Sequence, residues 1–145
     1  MADQEKFDMD RLEFGPLFGD SSKVEPLTNA EVLELLEKID ETQKARGEEP
    51  TITFENAKTY VANVTHGMKG STIKELRWTI RDRENSATLR RKLHPFEITA
   101  LLNLTPEDIE QATALVPSLL SFDTPEEKEF IVGVVNEIRN RAPLQ

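Results

Sequence analysis

Signals for the start of a helix recur along this chain, and they constrain its fold more than any other feature. Thr28 is followed three residues later by Glu31, which completes a capping box. Thr105-Pro106 and Thr124-Pro125 each place a proline after a capping threonine and acidic residues after the proline, and Pro95 opens another helix. So many starts with short connections between them predict a bundle of short helices.

Apolar residues repeat at spacings of three and four after these starts, which indicates one buried face on each helix. The first helix is expected to run from Thr28 to about Arg46 and to end at Gly47, and the third to begin at Ser71. Residues 53–65 read as a helix, although the alternation in residues 51–54 also suits a strand. The expected core positions are Val32, Leu35, Leu36, Ile39, Phe54, Ala57, Val61 and Val64 (with Tyr60), Ile73, Leu76, Ile80, Phe96, Ile98, Leu101, Leu102, Leu104, Ile109, Ala112, Leu115, Val116, Phe130, Ile131, Val134, Val135 and Ile138. We therefore predict an all-α fold of about six helices.

The first 27 residues lack helical periodicity and contain glycine and proline among acidic residues, so they are expected to form an arm. Within this arm, Phe14, Leu17 and Phe18 flank Gly15-Pro16. Three large apolar side chains so close together would be prone to association if they stayed exposed. They either fold back onto the helical domain or dock on another chain, and the residues leave both open.

Catalytic motifs are missing from the sequence. The chain has no cysteine, which removes disulfides, cysteine zinc sites and thiol catalysis. His66 stands in a predicted turn and His94 at a helix start, where a surface or capping role is expected, and no glycine-rich phosphate loop or nucleophile elbow occurs. The acidic residues Glu107, Asp108 and Glu110 lie in a first helical turn, where they complement the helix dipole. We expect a protein that is not an enzyme and needs no cofactor.

The ends and the hydropathy of the chain indicate its surroundings. The N-terminus is polar and acidic, unlike a secretory signal, and no apolar run reaches the roughly 20 residues of a membrane helix. We expect a soluble intracellular protein that does not contact a membrane.

Charge is distributed unevenly along the chain, whose net charge is −9. Residues 1–50 carry −8, residues 51–104 carry +4 and residues 105–145 carry −5. Only the middle part could bind an anionic partner, because phosphate binding needs cationic side chains. There, the run from Arg81 to Lys92 is either a basic patch that faces RNA or a partner, or a solvated extension of the third helix. The residues of this patch are Arg81, Arg83, Arg90, Arg91 and Lys92.

The single tryptophan, Trp78, lies next to Arg77 and near Arg81 and could stack on a base. A lone tryptophan on a helix is more often part of the packing, and that is the interpretation we favour.

Residues 93–119 are the most distinctive segment of the chain. Leu93-His94-Pro95-Phe96-Glu97, and then Glu110-Gln111-Ala112-Thr113-Ala114-Leu115-Val116-Pro117-Ser118-Leu119, resemble the C-terminal half of the small stalk subunits of RNA polymerase. This family comprises the fourth subunit of RNA polymerase II and its archaeal counterpart. Residues 12–18, 27–32 and 59–61 resemble it more loosely.

The resemblance implies a two-part fold and a partner. An N-terminal arm, residues 1–27, would precede a helical domain, residues 28–145, with a portion at roughly 53–145 that is similar to the HRDC domains of RecQ helicases and RNase D. The partner would be the seventh subunit of RNA polymerase II, in a nuclear stalk near the RNA exit path that acts in initiation and transcript handling. Contact with nascent RNA would be weak and mostly through that partner. The implied partner interface consists of Phe14, Pro16, Leu17, Phe18, Leu27 and Val32.

The chain also departs from the family. Gln111 stands where a second acidic residue is common, the run from Arg81 to Lys92 is longer and more basic than expected, and the connector at residues 47–50 lacks a long acidic insert. Three alternatives stay open: the equivalent stalk subunit of RNA polymerase III, a free-standing helical nucleic-acid-binding module, and an adaptor that binds only proteins.

Overall fold

The computed structural model describes residues 7–8, 11–15, 23–65 and 67–142, and most of this part of the chain is helical. The helices are α1 (Asn29–Ala45), α2 (Ile52–Val64), α3 (Gly70–Ser86), α4 (Pro95–Leu104), α5 (Ile109–Leu115) and α6 (Pro125–Arg141), with a 3₁₀ helix at Pro117–Ser121 between the last two. Two short antiparallel strands, β1 (Phe7–Asp8) and β2 (Glu13–Phe14), precede them. The all-α prediction is therefore confirmed.

Three helix starts are formed as the sequence predicts. Thr28 and Thr124 cap α1 and α6 with complete capping boxes. His94 caps α4, because its Nδ1 accepts a hydrogen bond of 3.0 Å from the backbone N–H of Phe96, and Pro95 occupies the first turn. His66 lies outside the described residues.

Three other expectations about boundaries are wrong. Thr105 does not start a helix but ends α4 with a left-handed backbone, and the start of α5 is capped by Asp108 instead. The strand alternative for residues 51–54 fails because the side chain of Thr51 accepts a hydrogen bond from the N–H of Phe54 and caps α2. The third helix begins one residue before Ser71, after Lys69, whose side chain makes no cap.

The core lies between α3, α4 and α6, together with the 3₁₀ helix. The apolar stripes predicted for α3 and α6 are buried throughout, and Leu93 and Leu119 join them. The first two helices contribute little, since Ala30 is the buried apolar residue of α1 and Val61 that of α2. The pair formed by α1 and α2 therefore stands at the edge of the core.

Several residues expected in the core are exposed. They are Leu35, Ile39, Ala57, Leu104 and Leu115, together with Tyr60. Trp78 is also 69% exposed, so the interpretation that it packs is wrong. The physical reason is shared: helical spacing places these side chains on an apolar face, but no element among the described residues covers that face. None of the described helices has the length and hydropathy needed to cross a bilayer.

Candidate functional site

The basic run Arg81–Lys92 begins in the last turns of α3 and continues in the loop before α4. Arg91 lies near the end of this run, in the loop. Its Nη1 and Nη2 donate to the two carboxylate oxygens of Glu97 at 2.8 and 3.0 Å, and its guanidinium lies 4.3 Å from the ring centroid of Phe122. Glu97 is fully buried and also accepts from the hydroxyl of Ser118 at 2.7 Å. Arg91 thus ties the start of α4 to the 3₁₀ helix.

Arg90 makes an equivalent contact with the start of α6. Its Nη2 donates to Glu127 at 2.8 Å and also contacts Asp123. The hydrogen bond from the Arg90 side chain, helped by those from Thr124 and opposed by desolvation, lowers the pKa of Glu127 to about 2. Glu127 also completes the capping box of α6, so one carboxylate serves both the helix start and the loop.

Arg81 and Arg83 are paired as well. Arg81 donates to the buried Glu84 at 2.7 Å, and Glu84 also accepts from the backbone N–H of Leu93 at 2.6 Å. Arg83 reaches Glu137 of α6 at 2.8 Å. A carboxylate buried in this way is stable only when it is paired and hydrogen-bonded. All four arginines thus hold elements together, and the role of these arginines and of the exposed Lys92 as an RNA- or partner-facing patch stays a prediction.

The described end of the arm is clamped onto α3 and α4. The carbonyl oxygen of Pro26 accepts from Arg77 Nη2 and from the hydroxyl of Thr99, both at 2.9 Å. Arg77 also donates to Glu31 at 2.8 Å. Desolvation raises the pKa of Glu31, but the hydrogen bonds from Arg77 and Thr28 outweigh this effect, so that the pKa of Glu31 is lowered. Sequence reasoning did not find this clamp, because its members are far apart in the chain.

The predicted partner-interface residues lie in different surroundings. Phe14 is half-buried against this chain's own α4, with its ring centroid 5.5 Å from that of His94 and 5.1 Å from that of Phe96. Leu27 is exposed and Val32 is half-buried. Pro16, Leu17 and Phe18 lie outside the described residues. The fold-back alternative is thus observed for Phe14, and a partner contact of this group stays a prediction.

An exposed apolar face on α1 and α2 is the largest feature that helical spacing alone would have placed in the core. Leu35 and Ile39 lie one turn apart on α1 and are 46% and 45% exposed. Tyr60 of α2, 67% exposed, is two positions from Lys58 and so about 200° around the helix from it. We use the name α1–α2 face for these three exposed apolar residues of the helix pair, Leu35, Ile39 and Tyr60. Helical spacing does not distinguish a face buried by its own chain from one buried by another chain.

The same helix pair also forms a groove of about 510 Å³ that is lined by polar and apolar side chains. Asp40 lies in it between Lys58 at 2.9 Å and Lys44 at 3.2 Å, and the hydrogen bonds from these two lysines lower its pKa. The described residues contain no group of three or more histidine, aspartate or glutamate side chains that could hold a metal ion. The exposed apolar side chains of the α1–α2 face are available for contact with another protein.

Comparison with known proteins supports the resemblance seen in the sequence. The family model described as RNA polymerase Rpb4 matches residues 26–139. The chain is also 28% identical over 142 residues to DNA-directed RNA polymerase II subunit 4 of Arabidopsis thaliana, with 95% of each protein covered. The family match begins at the clamped Pro26 and extends into the last turn of α6, so it includes the α1–α2 face and the paired arginines.

Proposed function

Because this chain belongs to the RNA polymerase Rpb4 family, we propose that it forms a stalk heterodimer with the seventh subunit of RNA polymerase II. As a member of that family it is a non-catalytic subunit of RNA polymerase. In the proposed stalk, near the RNA exit path, it acts in initiation and in handling the transcript, and it works in the nucleus. Its domains would be the arm of residues 1–27 and the helical domain of residues 28–145, with the HRDC-like portion at roughly 53–145.

The α1–α2 face is the observation that carries this proposal. Leu35 and Ile39 each leave almost half of their surface in water, and Tyr60 leaves more. Covering side chains of this kind contributes about 1 kcal/mol or more each. Tyrosine is among the residues enriched at the centre of protein interfaces. A partner that covers this face would bury the apolar side chains of α1 and α2 that this chain leaves exposed.

The arm would extend the same interface. The exposed Leu27 directly precedes α1, and the half-buried Val32 lies one turn before Leu36 on that helix. The clamp at Pro26 holds this junction against α3 and α4, so the arm leaves the body of the protein at a fixed point. We propose that Leu27 and Val32 contact the partner together with the α1–α2 face, and that Pro16, Leu17 and Phe18 continue this contact.

RNA polymerase II is favoured over RNA polymerase III because the subunit 4 from Arabidopsis thaliana, which aligns over 95% of its length, is a polymerase II subunit. Purification of the tagged chain from its own cells, followed by mass spectrometry, identifies the polymerase. Recovery of the largest subunit of polymerase II is expected. Recovery of polymerase III subunits, or of no polymerase subunit, would overturn this assignment.

Co-expression with a tagged seventh subunit tests the interface. We expect the Leu35→Ser/Ile39→Ser variant to bind at least about tenfold more weakly than the natural chain, because two apolar contacts are lost. The matched control is Leu115→Ser/Leu120→Ser, which makes the same kind of change at exposed positions near α5. Circular dichroism of each variant reports whether the helices are retained.

Equal binding by the natural chain and the Leu35→Ser/Ile39→Ser variant would remove the α1–α2 face from the interface. Failure of the natural chain to bind the seventh subunit at all would overturn the heterodimer itself.

A further inference from the structure

A second exposed apolar surface lies at the 3₁₀ helix, away from the α1–α2 face. In a 3₁₀ helix, residues three apart lie directly above one another. Pro117 and Leu120 are related in this way and both are exposed, Leu120 by 66%. Leu115, at the end of α5, is 47% exposed. We call Leu115, Pro117 and Leu120 the 3₁₀ ridge.

The ridge is rigid, because the residues between its members are anchored in the core. Val116 and Leu119 are almost fully buried. The N–H of Val116 donates to the carbonyl of Ala112 at 2.8 Å, and the hydroxyl of Ser118 donates to the buried Glu97 at 2.7 Å. An apolar surface held in this way loses little conformational entropy when a partner covers it.

The charge around the ridge indicates which partner fits. Residues 93–127 contain seven acidic side chains and no lysine or arginine. Glu97 and Glu127 are buried, but Glu107 and Glu110, at the start of α5, are exposed. At the other end of the ridge, Arg90 and Arg91 contact Ser121, but their charges are matched by Asp123, Glu127 and Glu97. The charge of the stretch that carries the ridge is therefore negative, and the exposed Lys92 and Lys128 lie just outside this stretch at either end.

We propose that the 3₁₀ ridge is a docking site for a basic amphipathic segment of another polypeptide. Apolar side chains of that segment cover Leu115, Pro117 and Leu120, and its lysine or arginine side chains lie beside Glu107 and Glu110. Opposite charge steers such a segment to the ridge, whereas the same acidic residues repel an RNA phosphate backbone. This surface belongs to α5 and the 3₁₀ helix, so it leaves the α1–α2 face available for the stalk partner.

A defined probe tests the charge preference. The probe is a synthetic helix of about four turns with leucine on one face and lysine on the other, and the matched peptide carries glutamate in place of lysine. Amide resonances of the full chain are followed by NMR during each titration. We expect the lysine peptide to shift residues 114–121 and to bind more weakly as the salt concentration rises.

Three double variants locate the site and test its charge preference. Leu115→Ser/Leu120→Ser is expected to weaken binding of the lysine peptide at least tenfold. This is about the loss expected when two leucines that the peptide would half cover are removed. Leu35→Ser/Ile39→Ser is the matched control and is expected to leave its affinity unchanged. The charge reversal Glu107→Lys/Glu110→Lys is expected to reverse the preference, so that the glutamate peptide binds better.

The proposal is overturned if neither peptide shifts residues 114–121, if both peptides bind equally, or if the control pair weakens binding as much as the ridge pair. It is also overturned if single-stranded RNA shifts the same amides more strongly than the lysine peptide does. These outcomes do not depend on the seventh subunit, so this proposal and the stalk heterodimer succeed or fail separately.

Discussion

At the scale of single residues, buried carboxylates explain what the basic run Arg81–Lys92 does. Glu84, Glu97 and Glu127 each accept from an arginine of that run. Of these partners, Glu127 is 37 residues away from Arg90 in the sequence. The excess of positive charge and the i,i+3 pair of Arg81 and Glu84 were visible in the sequence, but the pairing of Arg90 with Glu127 was not, because helix packing brings these two residues together.

The lowered pKa of Glu127 makes stability depend on pH. Its ordinary value of 4.5 applies in the unfolded chain, and the folded value is about 2. Between these values the unfolded state binds more protons, so the free energy of unfolding decreases as the pH is lowered. The lowered pKa values of Glu31 and Asp40 act in the same direction. Urea unfolding between about pH 5 and about pH 2 measures this slope.

The Glu127→Gln variant isolates the contribution of one group. Because glutamine does not ionise, we expect the variant to lose stability less steeply than the natural chain over this range. Glu126→Gln is the matched control, since it removes the same charge from the same helical turn and Glu126 is exposed. Equal slopes for Glu127→Gln and the natural chain would show that Arg90 does not hold Glu127 ionised.

At the scale of the elements, local signals predicted helix starts well and burial less well. Thr28, Thr124 and Pro95 mark true starts because a cap acts within one turn. Thr105-Pro106 carries the same signal, yet Thr105 ends α4. The start of α5 is capped by Asp108 instead, whose carboxylate accepts a hydrogen bond from the N–H of Gln111. Burial of α3 and α6 followed from their stripes, whereas the equally regular stripe of α1 is only partly covered and leaves Leu35 and Ile39 exposed, since packing partners are not encoded in spacing.

The joint between α1 and α3 depends on a cap that comes from another helix. The Glu34 carboxylate of α1 accepts from the N–H of Gly70 at 3.0 Å, at the start of α3. A Cβ at position 70 would overlap that carboxyl group. We expect Glu34→Ala to cost about 1 kcal/mol, the usual value of a lost cap, and Glu34→Gln to cost less because its amide oxygen still accepts.

A double-mutant cycle tests this joint. Gly70→Ala should displace Glu34, so that in the natural chain the lost cap offsets the gain in helix propensity. In the Glu34→Ala background it should be neutral or stabilising, because alanine favours a helix over glycine by up to about 1 kcal/mol. Urea unfolding of the four proteins gives the coupling energy. Strictly additive effects would mean that Glu34 does not cap α3.

At the scale of the whole molecule, the described residues carry two groups of exposed apolar side chains, and the arginines of the basic run are paired. The α1–α2 face and the 3₁₀ ridge lie on different elements, while the four arginines of the basic run are paired with carboxylates. With a net charge of −9, the isolated chain is suited to binding proteins. In the proposed stalk, contact with RNA therefore falls mainly to the seventh subunit.

RNA binding by the isolated chain tests whether the ion pairs with carboxylates keep the arginines of the basic run from binding phosphate. We expect a labelled single-stranded RNA to bind the natural chain more weakly than about 10⁻⁴ M, below ordinary non-specific binding. The variant Asp123→Asn/Glu137→Gln frees Arg90 in part and Arg83, and it should bind RNA measurably, with an affinity that falls as salt rises.

The control for that variant must change net charge equally without freeing an arginine. Glu55→Gln/Glu129→Gln does so, because both residues are exposed and neither forms an ion pair with an arginine of the basic run. If the control binds RNA as well as Asp123→Asn/Glu137→Gln does, net charge alone sets the affinity. If instead the natural chain binds strongly and Lys92→Ala weakens that binding, the run Arg81–Lys92 contacts RNA directly, and its arginines do more than hold the helices together.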